Sequence, residues 1–225
     1  MPDRHVAHTV PYPWPYDGCL AAERTAVVIC GAQQQIVDAS SGVDDVTARL
    51  SAVAATVRAR GGQVLWVRHG TGARPARPNV SLPRRDTPGW QLALARDSAD
   101  DVIDSAGWDA CFGSRLDHAL RVGGSRFVVL GGFASEITVD STVRTLNDRG
   151  HECLVLTDGC APLDPQLGAR AHHSVTMSGG IFGALGTASD LLDVLTAAVD
   201  EIEPNDIPTI PARDRPTPDQ TETLV

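Results

Sequence analysis

Apolar positions along the chain fall into two kinds of run. Short, unbroken ones, TAVVIC (residues 25–30), QVLWVRHG (63–70), RFVVLGG (126–132) and ECLVLTDG (152–159), predict strands buried on both faces. DDVID (100–104) predicts a shorter one. Between them apolar residues recur at helical spacing. Val46, Leu50, Val53 and Val57 share one face, with acidic residues ahead of them and glycines behind. Helices are also expected over residues 113–122, 136–148, 164–175 and 189–201. Strands alternating with helices give right-handed crossovers. The expected fold is therefore α/β, a three-layer αβα Rossmann-like domain around a parallel sheet.

Outside that pattern the chain changes character. Residues 1–24 are rich in proline and aromatics and predict an extended N-terminal arm. Residues 25–202 form the domain, and 203–225, rich in proline, threonine and acids without apolar periodicity, predict a disordered tail. Residues 70–89, rich in proline, glycine and arginine, read as a long loop of the kind that carries function on a rigid scaffold.

Composition narrows the chemistry. A net charge of −9 with no basic stripe argues against a nucleic-acid partner. No apolar run is long enough to span a membrane, and the N-terminus lacks a signal pattern, so a cytoplasmic protein is expected. The 5 cysteines show no C-x-x-C spacing, which suggests neither a disulfide framework nor a zinc ribbon. All 19 basic residues are arginine, so no step that needs a lysine amine is open to this chain. Neither GxGxxG nor GxxxxGK[ST] is present, and no cofactor is implied.

In open parallel sheets ligands bind beyond the carboxyl ends of the strands, at the point where strand order reverses. The stretches there are CGAQQQ, RHGTG, DSAGWDACFG and GGFASEIT. Together with PYPWPYDG, NDRGHECLVLTDGCA and SGGIFGALGT they resemble the isochorismatase-like cysteine hydrolase superfamily, and lean toward its ureidoacrylate and biuret amidohydrolase branch. The resemblance runs from about Pro11 to Leu195. Together with the alternation of strands and helices it implies a six-stranded parallel sheet. It also implies a triad: an aspartate after the first strand, a lysine after the third and a cysteine in the first turn of a helix. The aspartate takes the thiol proton, the lysine holds the ion pair, and helix-terminal amides stabilise thiolate and oxyanion. Matched residue by residue, those positions fall on Gly31, Ser105 and Thr138. None is a base, a cation or a thiol. The resemblance also implies a cis peptide at Phe133–Ala134, and backbone amides near Ile137 and Thr138 that are available to a ligand oxygen.

The same region supplies the candidate ligand contacts: Gln33, Gln35, His69, Trp108, Phe133, Ala134, Ile137 and Thr138. For the glutamines a solvated loop and a ligand contact are equally compatible with the sequence, and Trp108 and Phe133 read as pocket walls or as packing. Cys30 and Cys111 lie near lost triad positions, either as thiols entering the pocket or as small core residues. His69 ends the second strand, where a general base or metal ligand is conceivable, but Asp38 is followed by Ala39 and Ser40 rather than by a D-x-H pattern, so no metal is expected. His172 and His173 are adjacent and face different directions on a helix.

Two functions follow from the resemblance, beside a third reading as a purely structural subunit with a collapsed pocket. One is a pseudoenzyme that binds a small acid or amide, or supports a catalytic paralogue. The other is a hydrolase or lyase of altered, non-cysteine chemistry on an amide, ureide or vinyl ether. A homo-oligomer is expected in either case, because the proline-aromatic arm and SGGIFGALGT offer apolar surface.

Overall fold

The computed structural model describes residues 4–10, 20–70 and 83–197. Six strands, β1 Thr25–Cys30, β2 Gln63–His69, β3 Asp101–Ser105, β4 Phe127–Phe133, β5 Glu152–Ala161 and β6 Ala184–Gly186, form one parallel sheet in the order β3-β2-β1-β4-β5-β6. Every residue of β1 and β4 is buried, as their unbroken apolar runs require. Alternate side chains feed opposite cores. Val27, Ile29 and Val129 pack with Leu50, Val53, Val57, Leu191 and Leu195, whereas Val28, Cys30 and Leu130 pack with Leu116, Leu120, Val143 and Leu146. The first set belongs to helices α2 Val43–Ala59 and α7 Ala188–Ala197, the second to α3 Leu116–Val122 and α4 Asp140–Asp148. Helices on both faces of one parallel sheet are the three-layer architecture expected.

Several local readings need revision. The segment SGGIFGALGT, expected to be exposed apolar surface, contains β6, with Ala184 and Gly186 buried against β5 and only its first half exposed at Ile181. Three residues without alternation give little strand signal, so neighbouring β5 decides their conformation. Two short helical turns were not legible either: α1 Gln34–Val37 and the kinked α6 Met177–Gly180, whose Ser178 and Gly179 are left-handed. The helix expected over 136–148 begins as a π-type turn, Ser135–Val139, before α4. Asp164 caps α5 Pro165–Val175 by accepting from the amides of Gln166 and Leu167. At the amino end, Val10 pairs antiparallel with Leu185 on the β6 edge. Much of the proline-aromatic arm, much of the 70–89 loop and the whole 203–225 tail lie outside the described residues.

Strand order reverses between β1 and β4, which are both hydrogen-bonded neighbours in the middle of the sheet although β2 and β3 intervene in sequence. The carboxyl ends of β1 and β4 therefore define the candidate site.

Candidate functional site

Beyond β1 the chain turns at Gly31, whose φ is +64°, and is held there by the Gly31 amide donating to the Val67 carbonyl. Beyond β4 it passes through a cis Phe133–Ala134 peptide into the Ser135–Val139 turn, as the resemblance implied. These two exits touch. A Cβ built on Gly31 lies 1.8 Å from the Phe133 carbonyl oxygen, and one on Gly132 lies 2.0 Å from the Cys30 carbonyl oxygen. Only glycine fits either position. The Phe133 carbonyl thus occupies the space where an aspartate side chain after β1 begins.

Thr138 is fully buried, and its hydroxyl donates to the Phe133 carbonyl at 2.8 Å, with the Ala134 carbonyl at 3.1 Å. Its proton faces backbone oxygens and no base. The amides of Ile137 and Thr138 both donate to the Ala134 carbonyl, at 3.1 and 3.0 Å. That corrects the expectation that they are available to a ligand: the first helical turn uses them itself. Ser105 is likewise a loop tie. Its hydroxyl is 2.6 Å from the Asp109 carbonyl, within reach of the Gly107 and Phe112 carbonyls, and accepts from the Gly107 amide.

The eight candidate contacts separate into two shells. Gln35, Trp108, Ala134 and Ile137 come together with Ile36, Ala39 and Leu163 around a cavity of about 260 Å³ whose walls are largely apolar. Gln33, His69, Phe133 and Thr138 do not line it, and each is fully buried. Among these, Gln33 Oε1 accepts from the His69 amide at 2.6 Å, and His69 Nδ1 is 3.0 Å from the Gly107 carbonyl oxygen. Burial pushes the His69 pKa down to about 4, so the ring is neutral at physiological pH.

Burial disfavours the thiolate form of both cysteines near the site. Cys30 is fully buried within 3.9 Å of the Thr142 hydroxyl, and desolvation pushes its pKa far up. Cys111 is pushed up to about 12, first by desolvation and then by the Asp109 carboxylate. A thiol that does not ionise near neutrality is a poor nucleophile. Both belong to the core containing Val28 and Leu130.

Three wall residues, Ile36, Ala39 and Leu163, escaped the sequence reading. Leu163, 39 % exposed, borders this cavity and also an open cleft of about 470 Å³ shared with Glu136, Asp140, Asp164, Leu167 and Arg170. No local motif marks it. It is brought in because Glu136 accepts the amides of Leu163 and Asp164, pulling the segment after β5 onto the Ser135–Val139 turn.

Residues 25–190 match the model of the Isochorismatase domain. The uncharacterized isochorismatase family protein YecD of Escherichia coli O157:H7 is 31% identical over 154 residues, which cover 63% of this chain and 82% of the relative. An isochorismatase family protein from Burkholderia thailandensis superposes with a TM-score of 0.67 at 26% identity, covering 77% of this chain and 96% of that one. A cysteine hydrolase from Pseudomonas syringae pv. phaseolicola shares the fold, with a TM-score of 0.70 at 19% identity over 80% of this chain and 95% of its own. With the domain match spanning residues 25–190, the chain belongs to the isochorismatase family.

Proposed function

We propose that this family member is not a cysteine hydrolase but a pseudoenzyme that binds a small amide- or acid-bearing ligand in the cavity beside Trp108. The observation that carries this reading is the contact between the Thr138 hydroxyl and the Phe133 carbonyl, 2.8 Å apart. The residue at the position of the nucleophile is a weak alcohol whose proton is committed to the backbone, and a hydroxyl without an adjacent base does not attack an amide. Gly31 provides no acid or base, Ser105 provides no cation, and an arginine does not substitute for lysine in proton transfer because it does not deprotonate. His69, the one imidazole of the set, is a weak base with its pKa near 4.

Ligand binding, as opposed to a purely structural role, is supported by the cavity itself. Its walls join residues from four separate segments, and an apolar pocket with a few polar groups at its rim is the usual form of a small-molecule site. The test is turnover of a panel containing ureidoacrylate, biuret, nicotinamide and a carbamoyl amine. No hydrolysis is expected. Turnover above ~1 s⁻¹, an ordinary enzymatic rate, overturns the reading.

A further inference from the structure

Arg68 of β2 and Arg96 line one cavity of about 340 Å³ at the β3 edge of the sheet, with Gln91, Leu92, Leu94 and Val102. It shares no wall residue with the cavity beside Trp108. Arg68 stands opposite Asp104 in the β2–β3 register, and its Nε donates to Asp104 Oδ1 at 2.7 Å. Its guanidinium also lies 5.0 Å from the centre of the buried Trp90 ring. Arg96 Nη1 donates to the carbonyls of Asp97 and Asp100, at 2.9 and 3.1 Å. Both guanidiniums are thus anchored through one nitrogen. Among the described residues, no hydrogen bond uses either Nη of Arg68, or Nε and Nη2 of Arg96. A guanidinium has five N–H donors, so each arginine keeps most of its fork unspent while lining a common cavity.

The charge around them is not balanced. Arg85 reaches the same Asp104 carboxylate at 3.3 Å, so two cations share one anion. The other aspartates of this edge are engaged elsewhere: Asp100 by Arg58, Asp101 by Arg115, and Asp97 Oδ1 by the Ala99 amide. In a chain of net charge −9, two incompletely neutralised arginines on one cavity mark it for an anion. We propose that this cavity is a separate binding site for a phosphoryl group, carried by inorganic phosphate or by a small phosphomonoester. A phosphoryl dianion presents three acceptor oxygens, enough to accept from both guanidiniums at once, whereas a carboxylate offers two oxygens and one charge. The planar, paired donors of arginine suit that geometry. Leu92, Leu94 and Val102 provide apolar wall for the organic part of an ester.

The test is calorimetric titration of the whole chain at pH 7.5 with inorganic phosphate, phenyl phosphate and benzoate. At least one phosphoryl ligand is expected to bind with a Kd below about 1 mM. Tighter binding of phenyl phosphate identifies an ester as the ligand, and equal or weaker binding of it identifies the free ion; both uphold the site. Arg96→Gln, an exposed change, should weaken phosphoryl binding about tenfold or more with the circular dichroism spectrum unchanged. Should that variant fail to fold, Arg68→Lys keeps the charge but loses the fork, and should weaken binding as well. Arg121→Gln removes an equal charge from α3 and should leave the affinity within about twofold. Affinity should also fall as pH drops through about 6, where the phosphoryl dianion takes up a proton. Benzoate binding that survives Arg96→Gln belongs to the cavity beside Trp108 and leaves the proposal standing. Three results overturn it: no phosphoryl binding at millimolar concentration, phosphoryl affinity retained in Arg96→Gln or lost equally in Arg121→Gln, and Arg96-dependent benzoate binding as tight as that of phenyl phosphate.

Discussion

At the residue scale, His69 carries a pH signature. Its folded pKa of about 4 lies below the ordinary 6.5 because burial disfavours the imidazolium. Between these values the unfolded chain binds the extra proton and the folded one does not, so stability rises with pH through this window. The contribution is complete above pH ~6.5 and declines by up to about 3 kcal/mol as pH falls toward 4. His151 and His172 are shifted the same way by burial and reinforce the sign. Urea denaturation midpoints measured from pH 7.5 to 4.5 should fall, and His69→Asn should flatten part of the slope. A pH-independent midpoint contradicts this. Thr138 gives a second residue-scale expectation. In Thr138→Cys the new thiol occupies a fully buried position beside carbonyl oxygens, where desolvation raises its pKa. Native-state labelling with a disulfide reagent at pH 7 should not exceed that of the parent chain.

At the element scale, the junction of β1 and β4 is closed by backbone. Gly31 is left-handed and its missing Cβ would overlap the Phe133 carbonyl. Gly31→Ala must therefore move β4 or the turn after β1, at an expected cost above about 2 kcal/mol, read as a drop in the denaturation midpoint. A stability within ~0.5 kcal/mol of the parent shows that the junction yields easily. A second tie joins α2 to the sheet. Asp100 receives both Arg58 Nε and Arg58 Nη2 at 2.7 Å and the Trp66 indole N–H at 2.9 Å, with its carboxylate almost wholly buried. Asp100→Ala leaves a guanidinium and an indole N–H without their acceptor and should destabilise by about 3–5 kcal/mol. Surface pairs such as Arg121–Asp117 are expected to contribute under 1 kcal/mol.

At the scale of the whole molecule, placing Asp, Lys and Cys at residues 31, 105 and 138 is not expected to create a working site. Gly31→Asp collides with Phe133, and Ser105→Lys removes the hydroxyl that gathers the Gly107, Asp109 and Phe112 carbonyls. The combined variant with Thr138→Cys is expected to be less stable than the parent and to hydrolyse none of the amide panel. A folded triple variant with amidase activity contradicts the view that the backbone itself has closed the crevice. Self-association is expected too, because Leu167, Met177 and Ile181 remain about half exposed along α5 and the turn after it. Light scattering should return a multiple of 23.8 kDa.

The sheet and its helices were legible in the chain because their signals are local and repeated. An unbroken run such as TAVVIC has to be buried on both faces, and the spacing of Val46, Leu50, Val53 and Val57 has to form one helical face. The positions facing the crevice were legible as well, since GAQQQ and GGFASEIT follow strands that a parallel sheet must align. Other features depend on contacts between segments far apart in sequence. The overlap of Gly31 with Phe133, the transfer of the Ile137 and Thr138 amides to Ala134, and the recruitment of Leu163 by Glu136 carry no local pattern. Neither does the division of the candidate contacts into a cavity wall and a buried layer, or the pairing that leaves one atom each on Gln33 and His69 unsatisfied. Sequence alone determined the layers, because burial and periodicity act within one element, and its motifs carried the resemblance to the family. Tertiary structure decided how the strand ends meet and which buried polar atoms are paired, because hydrogen-bond partners and steric overlap arise only where two strand ends meet.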